Sequence, residues 1–338
     1  PPASPSLPPP PPGPAPSPKA IAVLPFVDMS AGAAFEHVAD GFTEEIITAL
    51  AKVPTLQVTA RTSAFAFNGR DEDVRRIADQ LGVGTILEGS VRFEGEAMRV
   101  TAQLIDARTG FHLWTDVYDR SKEHVFRIQE DIARTIAAEL GEQLGKAPLV
   151  RAPAASFEAY QLYLQGRSLW ARKTEAAYLE AAEQYERALA LDPAYAPAHA
   201  GLSDVYRDTW SHWSKEPRGG PLLARAEEAA RHALAVAPES PEAHSSLASV
   251  LQDRYRDWEA AEKLFERSLE LGPQNAAAHL AYGTFLSIRG RLAEARTPLE
   301  RALELDPLSA HLHTQVGRAA VYSGDHRRAV VRLRRALE

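Results

Sequence analysis

From Phe157 onward, apolar residues return every three or four positions, the spacing of helices that bury one face, and the helical stretches come in pairs. A proline closes each pair, at Pro193, Pro238, Pro273 and Pro307, in the settings LALDPAYAPA, LAVAPESPEA, LELGPQNAAA and LELDPLSAHL. The intervals are 45, 35 and 34 residues, so the unit is about 34 residues with an insertion in the second. Ahead of each proline stands a pair four residues apart: Ala181 with Tyr185, Ala226 with Ala230, Ala261 with Phe265, Ala295 with Leu299. The small residues let two helices cross closely, and the proline then ends the second helix. No unit can bury its apolar face alone, so the units must stack. The pattern predicts an α-solenoid over 157–338 of about five repeats, the last incomplete. Without a polar capping helix at its end, the natural chain is expected to continue.

The upstream pattern alternates between periods. IAVLPF (Ile21 to Phe26) reads as a strand, and Phe35, Val38, Phe42, Ile46 and Leu50 fall at helical spacing. LQVTA (Leu56 to Ala60) is a second strand. Asp71 or Asp73 then caps a helix with Val74, Ile77, Ala78 and Leu81 on one face, stopped by Gly82. Three alternating runs follow, Val83 to Phe93, Met98 to Ile105 and Phe111 to Tyr118, with turns at Glu94-Gly95 and Thr109-Gly110. They predict an antiparallel meander with Met98, Val100, Ala102 and Leu104 toward the core. A last amphipathic helix, Val125 to Leu144, covers that face. The expected fold is therefore α/β plus all-α: a small βαβαβββα layer domain over 19–146, then the solenoid.

Composition adds a third segment. Of 24 prolines, 11 lie in residues 1–18, PPASPSLPPPPPGPAPSP. That stretch favours a polyproline II rod of roughly 50 to 55 Å, read as a stiff spacer although its P-x-x-P matches suit an SH3-like partner. A net charge of −7 argues against nucleic acid as partner. There is no cysteine, hence no disulfide framework and no thiolate metal site. With no initiator Met, no signal sequence and no apolar run of about 20 residues, the chain reads as a piece of a longer protein that begins inside a linker.

Phosphate-loop, dinucleotide, hydrolase and zinc-protease motifs are absent. The expectation is no enzyme, no cofactor and no metal. Ser30, Arg61, Thr62 and Ser63, with Asp28, would gather at the carboxyl ends of the two leading strands, where Arg and hydroxyls suit an anion. His199, His244, His279 and His313 recur near one position of successive first helices, as flat packing residues or as a pH-sensitive column. Trp210 and Trp213, in the insertion TWSHWSKEPRGGP, either pad the solenoid or anchor a partner. On the face of the first helices away from the small residues lie Asp204, Arg207 and Asp208, then Ser245, Ser249 and Gln252, then Thr284 and Ser287, then Thr314 and Arg318. Short, polar and mixed in charge, they predict a groove for a peptide or protein tail. The basic run of His326, Arg327, Arg328, Arg332, Arg334 and Arg335 reads as the wet side of one helix.

The spacing of the second half resembles that of tetratricopeptide repeats. IAVLPF, ADGFTEEIITAL, ARTSAFAFNG, LEGSVR, AQLIDARTGFHLWTDVYDR and FRIQEDIA, in this order, resemble the TolB-like amino-terminal domain. The loop DMSAGAAFEH departs from the family by lacking its acidic, glycine-rich character. The resemblance implies a bacterial signalling protein in which this pair of modules is attached to a cyclase, a kinase or a winged-helix regulator. It thus implies a non-enzymatic sensor and interaction segment with a protein or peptide partner; the alternative is a small-anion receptor whose repeats transmit the signal. It also implies attachment to a membrane through an upstream segment, with the modules on the extracytoplasmic side or, alternatively, in the cytoplasm.

Overall fold

In the computed structural model, residues 17, 19–70, 72–142, 149–150, 154–215, 217 and 220–337 are described. The Pro-rich stretch, apart from Ser17, and the Asp71 cap lie outside them. Strands β1 (Ala20–Val23), β2 (Val27–Asp28), β3 (Gln57–Val58), β4 (Thr85–Glu94), β5 (Ala97–Asp106) and β6 (His112–Ser121) form one sheet in the order β3-β1-β4-β5-β6, with β2 also on β4. β1 runs parallel to β3 and β4, and β4, β5 and β6 make the antiparallel meander. Pro25 divides the first apolar run: lacking an N–H it cannot extend the ladder, and the chain resumes on β4 as β2. Helices α1 (Glu36–Leu50), α2 (Arg61–Phe65), α3 (Val74–Leu81) and α4 (Val125–Glu139) complete this part. Asp73 caps α3 by accepting from the Arg75 N–H, and Gly82 ends it at φ 68°. α4 stops short of Leu144, where Gly141 turns left-handed at φ 81°.

Two features depart from the sequence pattern. The second strand shrinks to two residues, because after Thr59 donates to Ile21 the next amide, Ala60, leaves the sheet for the carbonyl of Leu305. The five-residue helix α2 follows, too short to carry a periodic signal.

Ten further helices pair as α5 (Phe157–Ala171) with α6 (Glu175–Leu191), α7 (Ala196–His212) with α8 (Pro221–Val236), α9 (Pro241–Tyr255) with α10 (Trp258–Leu271), α11 (Ala276–Ile288) with α12 (Leu292–Leu305), and α13 (Ala310–Tyr322) with α14 (His326–Arg335). The insertion of the second unit lengthens α7 and the turn behind it. Ala181, Tyr185, Ala226, Ala230, Ala261, Phe265, Ala295 and Leu299 are all buried. Opposite them the first helices carry small residues at one register: Ser203, Ala248, Gly283 and Gly317. A Cβ on Gly283 would stand 2.6 Å from the Leu299 side chain, and one on Gly317 2.7 Å from Leu333. Ala261→Leu and Ala295→Leu should therefore each destabilise the array by about 1–3 kcal/mol through overpacking, measured by denaturant unfolding. No loss at either site would refute this crossing register.

The repeats do not hang from a free linker. Leu149 and Val150 are buried and donate their N–H groups to Glu130 on α4. One apolar core runs from α1, α4 and the inner face of β5 into α5, α6 and α7.

Candidate binding groove

Among the described residues, the consecutive first helices α5, α7, α9, α11 and α13 touch one another more than the second helices do, so the array curves with its first helices inside. The α/β part closes this curve a second time. Its β3–α2 edge meets the turns that precede α11 and α13. Ala60 donates to the Leu305 carbonyl (2.7 Å), and Ser63 Oγ donates to Asp306 Oδ1 (2.5 Å) while accepting from Leu308 N (2.8 Å). Gln274 Nε2 donates to the carbonyl of Val53 (3.0 Å), and its Oε1 accepts from the N–H of Val58 (3.4 Å). Leu308 packs against the cluster of Phe67, Ile77 and Leu81. Ser63 and Asp306 are buried, and burial raises the Asp306 pKa above its ordinary value although donors surround it.

The candidate anion residues are thereby engaged elsewhere. Ser63 belongs to the seam with the repeats. Arg61 faces Glu44 (3.3 Å) and Asp40 (3.8 Å) and stacks on Phe65. Ser30 Oγ accepts from Phe93 N, and Asp28 binds the N–H groups of Ser30 and Phe35. Thr62 is exposed and lies near Asp306, whose pKa it draws down. The structure thus divides these residues between a loop cap and an interdomain seam.

The predicted groove residues fall into two kinds. Asp204, Arg207 and Asp208 of α7 form a knot in the groove wall: Arg207 pairs with Asp208 (2.7 Å), whose other oxygen accepts from Trp170 Nε1 (3.1 Å) on α5, and Asp204 reaches Ser246 on α9. Lys173 lies over the Trp170 ring at 4.2 Å. Burial pushes Asp204 up to about 6, with Arg207 drawing it down and Asp208 raising it further. Burial lowers the pKa of His311, at the start of α13, and the charges of Lys173, Asp208, Arg318 and His212 also act on it. The hydroxyls are quieter. Ser249, Ser287 and Thr314 donate back to the carbonyls of Ser245, Gly283 and Ala310, four residues earlier. Ser245, Gln252 and Thr284 are half-buried and Arg318 is exposed. Trp170 and Lys173, which complete the wall, sit at the end of the first helix and its turn, a place that a search of later first helices passes over.

Trp213 folds back edge-on against Tyr178 of α6 (4.9 Å), beside the core, and Trp210 is half-buried within α7. The arginines of α14 are exposed, apart from Arg328, which pairs with Glu300, and Arg332, which is half-buried.

The histidines act as local staples. Nε2 of His199, His279 and His313 stands 2.9–3.0 Å from the carbonyl of Pro193, Pro273 and Pro307 respectively. A carbonyl only accepts, so Nε2 carries the proton in each. His244 makes the same kind of bond through Nδ1 to Ser240. Nδ1 of His279 and His313 is buried without a partner, so a second proton there would find no acceptor. Burial lowers the pKa of His199, His279 and His313, opposed by the proline carbonyls and helped by the charges of His232, Arg301 and Arg332. A lowered folded pKa means that their stabilisation is present above the unfolded value near 6.5 and is lost as pH falls below it. Changing all three to Gln should lower the melting temperature at neutral pH. The gap to wild type should narrow as pH drops from 7 toward 5, since other titrating groups are common to both proteins. A gap that stays constant would exclude this role.

No helix among the described residues is long and apolar enough to cross a membrane, and no group of three or more His, Asp or Glu among them can hold a metal ion.

Residues 254–310 match the family model of the tetratricopeptide repeat. Over 189 residues, 55% of its length, the chain is 41% identical to "Putative adenylate cyclase 3" of Rhizobium meliloti (strain 1021), and it spans 32% of that relative. Among solved structures it is similar to a thermophilic tetratricopeptide protein of Thermus thermophilus (20% identity, TM-score 0.46, covering 53% of this chain and 90% of that one). It is also similar to YrrB, a tetratricopeptide protein with an unusual peptide-binding site (22%, TM-score 0.33, 53% and 84%). A third likeness is to MamA (20%, TM-score 0.36, 51% and 92%).

Proposed function

We propose that this segment is a non-enzymatic sensor and scaffold that holds a protein or peptide partner in the repeat groove and passes the event to an effector in the same polypeptide. Tetratricopeptide repeats are interaction scaffolds, and the observation that carries the reading is the polar inner face of the first helices, held in one curvature by contacts with the α/β part at both ends. The relative named as an adenylate cyclase supports a nucleotide cyclase as the effector. The TolB-like identity of the α/β part rests on its sequence motifs. Placement outside the cytoplasm rests on the proline-rich stretch of residues 1–18 read as a spacer; protease added to spheroplasts should cut that stretch, and cutting only after lysis would reverse the assignment.

The groove is testable with peptides selected from a random display library on the wild-type chain. Arg207 is unsuitable for mutation, because its truncation would strand Asp204 and Asp208. Thr284→Arg with Thr314→Arg instead sends two long side chains into the groove from the inner faces of α11 and α13, where both threonines are half-buried. The expected result is at least about a tenfold loss of affinity, equivalent to about 1.4 kcal/mol, with the melting temperature nearly unchanged. Undiminished binding would place the partner elsewhere.

A further inference from the structure

A second feature lies where α9 turns into α10. Gln252, Asp253, Arg256 and Trp258 face Ile288 and Arg289 of the next repeat across an open cleft of ≈ 360 Å³. Arg256 ends α9 in the left-handed region, φ 54°, where L side chains are disfavoured. The corresponding turns after α11 and α13 use Gly290 and Gly324 at φ 76° and 78°. The local geometry thus favours glycine, and the first and third repeats place a cation there instead, Lys173 at φ 55° and Arg256. Among the described residues neither Arg256 nor Arg289 has a carboxylate partner within ion-pair distance. Arg289 lies over the Trp258 ring at 5.0 Å, and that ring packs on Phe285 from the core. Ile288 beside it is 57% exposed. The acidic lining residue, Asp253, accepts from Gln252 Nε2 (2.9 Å) and acts on Arg207 in the groove wall. Asp253 thus lines the cleft as one carboxylate against two guanidiniums, which leaves the lining net positive.

We infer that this cleft is an anchoring subsite for an acidic peptide in which a carboxylate side chain stands next to an aliphatic or aromatic one. The carboxylate would take a forked bond from Arg256 or Arg289, a geometry guanidinium favours, and the apolar neighbour would cover Ile288 and the edge of Trp258. Because Gln252 also belongs to the inner face of α9, a peptide running along the groove reaches the cleft at the far end of that helix. This inference rests on the groove reading and names the chemistry of its partner.

The test uses 12-residue peptides displayed at random, selected on the full chain, then synthesised with a fluorophore and titrated by anisotropy. Selected peptides should be rich in Asp or Glu beside Leu, Ile, Phe or Tyr. Arg256→Gly, which relieves the turn as it removes the guanidinium, together with Arg289→Gln, should weaken them at least about tenfold without lowering the melting temperature, and replacement of the peptide acid by its amide should weaken wild type to the same degree. Acidic peptides that bind the double variant unchanged would overturn the inference. So would selection of peptides without acids; if those are blocked by Thr284→Arg with Thr314→Arg, the groove reading stands and the subsite falls. Competition by inorganic phosphate as strong as by the peptide would also overturn it, by assigning the cleft to phosphate. Failure to select any peptide would remove both readings.

Discussion

Tyr185→Ala is expected to destabilise the chain by about 3–5 kcal/mol, the range for deleting a buried aromatic ring. Tyr185 lies on α6 with no exposed surface. Gly166 on α5 and Gly201 on α7 each leave the space for its ring: a Cβ at either would come within 2.7 Å of it. Tyr163 stands 6.0 Å away, centroid to centroid, and closes the site from α5. The ring therefore fills a slot that two helices have vacated, and those helices cannot collapse into it without moving the core shared with α1 and α4. Denaturant unfolding would measure the loss, and a value under about 1 kcal/mol would mean that the slot relaxes. Gly166→Ala in the Tyr185→Ala background should recover part of it, whereas Gly166→Ala alone should be destabilising.

The second large effect belongs to the seam between the α/β part and the repeat turns. Ser63→Ala with Gln274→Ala removes the donor to Asp306 and both side-chain bonds of Gln274. It strands buried polar groups on either side, at about 1–3 kcal/mol for each unsatisfied group. Because these contacts hold the curve of the array, small-angle scattering should show a larger radius of gyration and peptide affinity for the groove should fall. An unchanged radius would show that packing at α5 alone fixes the curvature. Asp306→Asn separates charge from geometry. The folded state holds the Asp306 proton more tightly than the unfolded chain, so its contribution to stability declines as pH rises above the ordinary aspartate range. The Asn variant should lack that slope and be at least as stable as wild type near neutral pH.

The helix pairs, the close crossings and the meander were legible because each is written locally. Side-chain period, a bare Cβ at a crossing and a proline at the end of a helix act over a few residues, and the cap at Asp73 and the stop at Gly82 are of the same kind. Other residues were legible in position yet not in role. The histidine column recurs at one register, but that three of its four imidazoles, those of His199, His279 and His313, bind the carbonyls of the closing prolines follows from how each turn folds back onto the next helix. Arg207 and Asp208 were visible as polar positions of the inner face; that they are knotted to Trp170 needed α5 in place.

The elements and the faces they bury follow from residues a few positions apart, since periodicity and backbone sterics leave few choices. That the α/β part grips the repeats twice emerges only once the chain is assembled. Ser63 and Asp306 are 243 residues apart, and Gln274 and Val53 are 221 apart. Nothing in the neighbourhood of Ser63 distinguishes a hydroxyl waiting for an anion from one that donates to a distant aspartate. The accumulated curvature of the stacked helices sets that partner, and each small packing angle contributes to where the turn before α13 arrives.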